Sequence, residues 1–139
     1  MINCRKVRFK AFSDEYGNLV PIEEEQDTGF PIQRIYYIYG VEGGVRRGFH
    51  SHRDLEQILL CVKGQVTIHL AAPEGEEEVL LDDPAEGLYI GPMIWREMYD
   101  FSPDAVLLVL ASRHYDESDY IRNFEAYMEE AREYFKEKR

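Results

Sequence analysis

Cysteine is scarce: only Cys4 and Cys61 occur in 139 residues, far apart, the second inside an apolar run. That spacing excludes a disulfide framework and a zinc pair, and both read as packing residues. No apolar run approaches the roughly 20 residues of a membrane span, and the N-terminal MINCRKVRFKAF lacks the apolar stretch of a secretory signal. The protein is therefore expected in the cytoplasm. No fixed-period repeat, low-complexity tract or Gly/Ser linker divides the chain, so a single domain over 1–139 is expected. Positive charge is also short, with 16 Lys and Arg against 27 Asp and Glu and a net charge of -11. Such a surplus repels nucleic acid and anionic membrane at long range, so neither is an expected partner. A small anionic substrate is still compatible, because a local arginine cluster in a concave, low-dielectric site outweighs screened distant charge. Arg46 and Arg47 are the candidates.

What the chain does contain is the composition of a folded protein, 45% hydrophobic and 13% aromatic, enough at this length to bury about two-thirds of the surface of the unfolded chain. Up to residue 115 it consists of short β-rich runs broken by turn formers. Val7 to Phe12 and Leu19 to Ile22 flank the turn Asp14-Glu-Tyr-Gly-Asn18 and predict an N-terminal hairpin. Further runs follow at Ile32 to Tyr39, Leu55 to Val62, Gln65 to Ala71, Glu78 to Leu81, Gly87 to Ile90 and Val106 to Ala111. Many short strands with frequent turns predict an all-β sandwich or barrel. In 116–139 the period changes: Tyr120, Ile121, Phe124, Tyr127, Met128, Ala131, Tyr134 and Phe135 recur at helical steps, predicting an amphipathic helix on the outside of the barrel, capped by Ser118 or Asp116.

The richest segment is Gly44-Val-Arg-Arg-Gly-Phe-His-Ser-His-Arg-Asp-Leu-Glu-Gln57, followed by a β run and Gly64. Its spacing resembles the first signature of the cupin superfamily. If His50 and His52 lie on a strand, its two-residue period puts both side chains on one face, about 7 Å apart. Paired imidazoles suit a metal, and in many cupins a glutamate and a third histidine complete the site. The second signature falls in Gly87-Leu-Tyr-Ile-Gly-Pro-Met-Ile-Trp-Arg-Glu-Met98, where Arg96 stands near the place of the usual histidine. A guanidinium there repels a divalent cation, so no metal is expected. Without a metal, two histidines suit moving a proton between neighbouring atoms near neutral pH.

The blocks RRGFHSHRDLEQILLCVKG, EGLYIGPMIWREMYDFSPDAVLLVLAS and HYDESDYIRNFEAY are similar to the nucleotide-sugar 3,4-ketoisomerases, the WxcM-like enzymes acting on dTDP-4-keto-6-deoxyglucose. The resemblance implies an all-β cupin-type jelly-roll barrel (a double-stranded β-helix) with a C-terminal helix, a homodimer, and no cofactor. It implies a dTDP-linked 4-keto-6-deoxy sugar as the partner, bound in the barrel mouth, and a role in making a 3-amino-3,6-dideoxy sugar. His50 and His52 are its proton-transfer residues, with base and shuttle unassigned between them. Arg47 is the implied pyrophosphate ligand, with Arg46 as a less certain neighbour. Tyr37 is preferred to Tyr36 as a site tyrosine. Glu56 is expected to orient His52 or to pair with an arginine, and Trp95 to stack on base or sugar or to be a buried barrel residue. Relatives reading WHEM rather than WREM give the galacto product, so Arg96 with Tyr16 implies the gluco product, dTDP-3-keto-6-deoxyglucose. Two competing readings are a dTDP-sugar 3,5-epimerase and a non-catalytic cupin that binds a metal or small molecule through His50, His52 and Glu56.

Overall fold

A computed structural model describes residues 1–138. Antiparallel pairing builds two facing five-stranded sheets, and the chain crosses between them repeatedly in jelly-roll fashion. The first sheet runs β1 (Cys4–Arg8), β9 (Glu86–Ile90), β6 (Gln57–Lys63), β11 (Val106–Ala111), β4 (Arg34–Tyr39). The second runs β12 (Tyr120–Ile121), β5 (Arg47–His52), β10 (Trp95–Tyr99), β7 (Val66–Ala72), β8 (Gly75–Leu81). A small hairpin, β2 (Phe12–Asp14) with β3 (Gly17–Leu19), stands apart. The hairpin expected from Val7 to Ile22 is thus shorter, because Cys4–Arg8 pairs with Glu86–Ile90 instead.

Side-chain alternation explains which faces are buried. Val66, Ile68 and Leu70 of β7 meet Leu59 and Cys61 of β6 and Leu107 and Val109 of β11 in the core between the sheets. The alternate residues Ile58, Leu60 and Leu110 form a second cluster behind the first sheet with Phe9 and Phe30, which Val20, Ile22 and Ile32 cover. A single strand such as β6 therefore reads as an uninterrupted apolar run because both of its faces are covered.

The tail departs from the expected single helix over 116–139. Glu117–Asp119 form one 3₁₀ turn, capped by the Asp116 carboxylate, which accepts from the Ser118 N–H at 3.0 Å. Tyr120 and Ile121 then pair with His52 and Ser51 as an edge strand of the second sheet. Only after Asn123, whose side chain accepts from the Ala126 N–H at 2.9 Å, does the helix α1 (Phe124–Lys138) begin. Arg139 lies outside the described residues. α1 buries Tyr127, Ala131 and Phe135, spaced four apart. The Tyr127 hydroxyl lies 2.9 Å from both the Ala71 and Met93 carbonyl oxygens and locks the helix to the second sheet. Tyr127→Phe leaves those buried carbonyls without that donor, so it should lower stability by about 1–2 kcal/mol. Urea unfolding should show a reduced midpoint at constant m-value, and an unchanged midpoint would mean the hydroxyl does not hold the helix.

Candidate active site

β5 carries the site, and a β-bulge decides what it displays. Its pairing with β10 runs Arg96 to His50, then Glu97 to Gly48, so Phe49 is an extra residue without an opposite number. Gly48 and Phe49 both have positive φ, 94° and 58°. In a regular strand Arg47 and His50 would face opposite ways. The extra residue brings them to the same side, while Phe49 turns outward. Gly48 is needed because a Cβ there would sit 2.9 Å from the Arg96 carbonyl oxygen and 3.1 Å from the Glu97 Cα.

The result is a cavity of about 360 Å³ between the sheets, whose lining includes Arg34, Tyr36, Arg47, His50, Tyr120 and Arg122 and, among the described residues, no carboxylate. Arg47 and Arg34 make no ion pair among the described residues, whereas Arg122 is held by Glu117 at 2.9 Å. The acidic chain therefore concentrates three guanidiniums at one mouth, a site for a polyanion.

His52 lies behind His50, 1% exposed, their rings meeting edge to face at 4.9 Å, with Tyr120 packed against both at 4.3 and 5.1 Å. Its Nδ1 is 3.1 Å from the Asp119 carboxylate, whose other oxygen accepts the Asp54 N–H. Burial, and then the Arg96 charge, push the proton affinity of both rings down, that of His50 to about 3 and that of His52 further. Both imidazoles are therefore neutral at physiological pH, and the Asp119 contact is a hydrogen bond from a neutral ring. That bond places the His52 proton on Nδ1 and leaves Nε2, which is buried without a partner among the described residues, as a bare acceptor.

Arg96 is 1% exposed and forms no salt bridge among the described residues. Its Nη1 donates to the Gln57 Oε1 at 2.6 Å, and its Nε and Nη2 donate to the Ile94 carbonyl at 3.2 and 3.0 Å. Burial lowers its pKa to about 10, so it remains charged at neutral pH. Gln57 in turn donates from Nε2 to the Tyr36 hydroxyl at 3.0 Å.

Comparison with known proteins adds independent observations. The family model described as FdtA, WxcM-like, C-terminal, matches residues 2–132. The chain belongs to the WxcM-like family. A TDP-4-oxo-6-deoxy-α-D-glucose-3,4-oxoisomerase of Aneurinibacillus thermoaerophilus is 48% identical over 119 residues, 86% of each chain. The crystal structure of QdtA, a sugar 3,4-ketoisomerase from Thermoanaerobacterium thermosaccharolyticum in complex with TDP, matches with a TM-score of 0.95 at 50% identity, covering 97% of this chain and 98% of QdtA. A mutant of QdtA has been crystallised with TDP-4-keto-6-deoxyglucose. WlaRB, a TDP-quinovose 3,4-ketoisomerase from Campylobacter jejuni, matches at 40% identity with a TM-score of 0.89, covering 93% of this chain and 99% of WlaRB. The jelly-roll barrel with its C-terminal helix is thus the WxcM-like fold.

Within this WxcM-like chain, several residues expected at the site lie elsewhere. Tyr37 points outward and is 62% exposed, because alternation on β4 turns Arg34, Tyr36 and Ile38 inward. Tyr36 takes the cavity position. Tyr16 sits in the hairpin turn, 89% exposed and away from this chain's cavity. Arg46 is on the outer face, paired with Glu97 at 2.8 Å and stacked on Tyr99. Trp95 is buried beneath α1 against Phe124 and Tyr127, its indole N–H donating to Glu97. Glu56 neither orients His52 nor pairs with an arginine; it accepts from the Tyr89 hydroxyl at 2.6 Å. Asp119 holds His52 instead. Arg34, Arg122, Asp119, Tyr120 and Gln57 were not expected at the site. Asp119 was hidden in an acidic run that suits a helix start, and Gln57 heads an apolar run as its one polar member.

A catalytic metal does not fit this arrangement. The described residues include no group of three or more His, Cys, Asp or Glu side chains placed to hold one. Glu56 faces away, and the inward residue, Gln57, is engaged by a charged guanidinium.

The bulge is directly testable. Gly48→Ala should cost about 1–3 kcal/mol through positive φ and the close carbonyl, and should weaken binding of pyrophosphate by turning Arg47 out of the cavity. Retained stability together with retained affinity would show that the bulge does not hold Arg47.

Proposed function

We propose that this chain converts dTDP-4-keto-6-deoxy-D-glucose to dTDP-3-keto-6-deoxy-D-glucose without a metal, in the biosynthesis of a 3-amino-3,6-dideoxy sugar. The observation that carries this reading is a neutral His50 in a carboxylate-free, arginine-lined cavity, in a chain about half identical to ketoisomerases. Arg47 and Arg34 receive the diphosphate, with Arg122 at the same mouth.

The sugar is then held with carbon 3 toward His50. The imidazole takes the carbon 3 proton, and the C–H electron pair becomes the carbon 3–carbon 4 double bond. The carbonyl π pair moves to the carbon 4 oxygen, which takes a proton from the Tyr36 hydroxyl, giving an enediol, imidazolium and phenolate. In the second half the carbon 3 hydroxyl returns its proton to Tyr36, the carbon 3 carbonyl forms, and the double-bond pair takes the His50 proton at carbon 4. Atoms and electrons balance with no external oxidant. The low proton affinity of His50 belongs to the empty site: a bound diphosphate and a developing enediolate both favour the imidazolium. His52 backs His50 from behind and is fixed by Asp119.

Arg96 carries the stereochemical part of the reading. It is buried behind the cavity with all three of its bonds as donor taken by Ile94 and Gln57, and it gives up a proton far less readily than a histidine. Carbon 4 is therefore protonated by His50, and because the carbon 3 and carbon 4 hydrogens lie on opposite faces of the ring in the gluco configuration, the gluco product requires the enediol to turn its other face to His50 before that step. The reading also includes a cytoplasmic homodimer. Support for a second copy comes from β4, which is an open sheet edge carrying exposed Ile35, Tyr37 and Tyr39. Among the described residues no helix is long and apolar enough to cross a membrane.

The test is NMR of the reaction in deuterated water with EDTA present. A 3-keto product, with deuterium confined to carbons 3 and 4 and an equatorial 4-hydroxyl, is expected, and His50→Asn should slow it by about 100- to 10,000-fold. Deuterium at carbon 5 would indicate the epimerase, turnover only with added metal would contradict the metal-free reading, and an axial 4-hydroxyl would overturn the product assignment.

A further inference from the structure

Gln57 joins the two sheets behind the substrate cavity, and its contacts have a direction. Arginine has donors only. The atom of the Gln57 amide that faces Arg96 Nη1 at 2.6 Å must therefore be the carbonyl oxygen, whichever way a terminal amide is otherwise drawn. The amide nitrogen is then the atom facing the Tyr36 hydroxyl at 3.0 Å. An amide N–H only donates, so the Tyr36 oxygen accepts, and its own proton is left to point elsewhere. Tyr36 is part of the cavity lining.

We propose that Gln57 is a positioning residue that fixes the direction of the Tyr36 hydroxyl. The buried charge of Arg96 orients the amide, and the amide turns the phenolic proton into the cavity toward the sugar oxygens. The proposal rests on the reading of Tyr36 as the oxygen-to-oxygen proton carrier. The same bond stabilises the phenolate formed half-way, because an N–H donor strengthens toward a developing anion. A carboxylate at this position would fail for a physical reason: it would pair with Arg96 but accept from Tyr36, drawing the proton away from the substrate. The amide is thus required although a carboxylate would satisfy the buried guanidinium better.

The experiment is a double-mutant comparison of Gln57→Glu and Tyr36→Phe, with turnover, KM and thermal midpoint measured for each enzyme. Gln57→Glu is isosteric and supplies Arg96 with a counter-charge, so its thermal midpoint should equal or exceed that of the parent. Its kcat should nevertheless fall by about 100-fold or more, with KM little changed. Combining it with Tyr36→Phe should give no further loss, since both remove the same proton donor. A merely structural Gln57 would leave kcat at or near the parent value in Gln57→Glu. Gln57→Met, which removes both ends of the relay without adding charge, is the second variant. It should lower kcat in the parent and leave the Tyr36→Phe enzyme unaffected. Full activity in Tyr36→Phe would overturn the role given to Tyr36. Loss in Tyr36→Phe with full activity in the Gln57 variants, or additive losses in the combinations, would overturn the role given to Gln57 alone.

Discussion

The site is organised around a charge buried without an opposite charge. Taking a guanidinium out of water costs several kcal/mol when no carboxylate repays it, and Arg96 is repaid only by the Ile94 carbonyl and the Gln57 amide. Three consequences follow from that one group. Its charge adds to burial, the larger cause, in depressing proton uptake by His50 and His52. It makes the interior hostile to a divalent cation. It also attracts negative charge, which a substrate acquires as a proton leaves its carbon.

A second constraint is geometric. In the proposed reaction, proton transfer and phosphate binding use side chains about one sugar apart on the same side of one strand. Regular alternation would separate Arg47 from His50, and the Gly48-Phe49 bulge restores them to one face. The edge strand Tyr120–Ile121 completes the same wall by laying Tyr120 on both imidazoles. The 3₁₀ turn just before it delivers Asp119 to His52. The barrel supplies rigidity, while departures from regular structure aim the groups that do chemistry.

This division explains what could be read from the sequence. Turn residues and β runs exposed the strand-rich body, and the histidine block exposed the site, because these depend on local chemistry and short spacing. Strand β10 carries the charged pair Arg96-Glu97 at its centre and so does not read as a β run, and Tyr120 and Ile121 also fit a helical period. In Arg34-Ile-Tyr-Tyr-Ile-Tyr39 tyrosine and isoleucine stand on both faces, so the pattern names no inward side; the structure turns Tyr36 inward and Tyr37 outward. Glu56 and Gln57 pose the same problem: one residue of register decides which enters the barrel, and pairing with β11 sets that register. Arg46 and Arg47 were adjacent in sequence but are parted to opposite faces, and composition carries no trace of that.

The account depends most directly on both imidazoles being neutral because they are buried beside the Arg96 charge. The measurement that tests it is the ¹⁵N chemical shift of the His50 and His52 ring nitrogens in the uncomplexed protein between pH 8 and pH 5. The account predicts neutral rings throughout this range, with the His52 proton on Nδ1. Protonation of either ring with a midpoint near the ordinary histidine value of about 6.5 would contradict it.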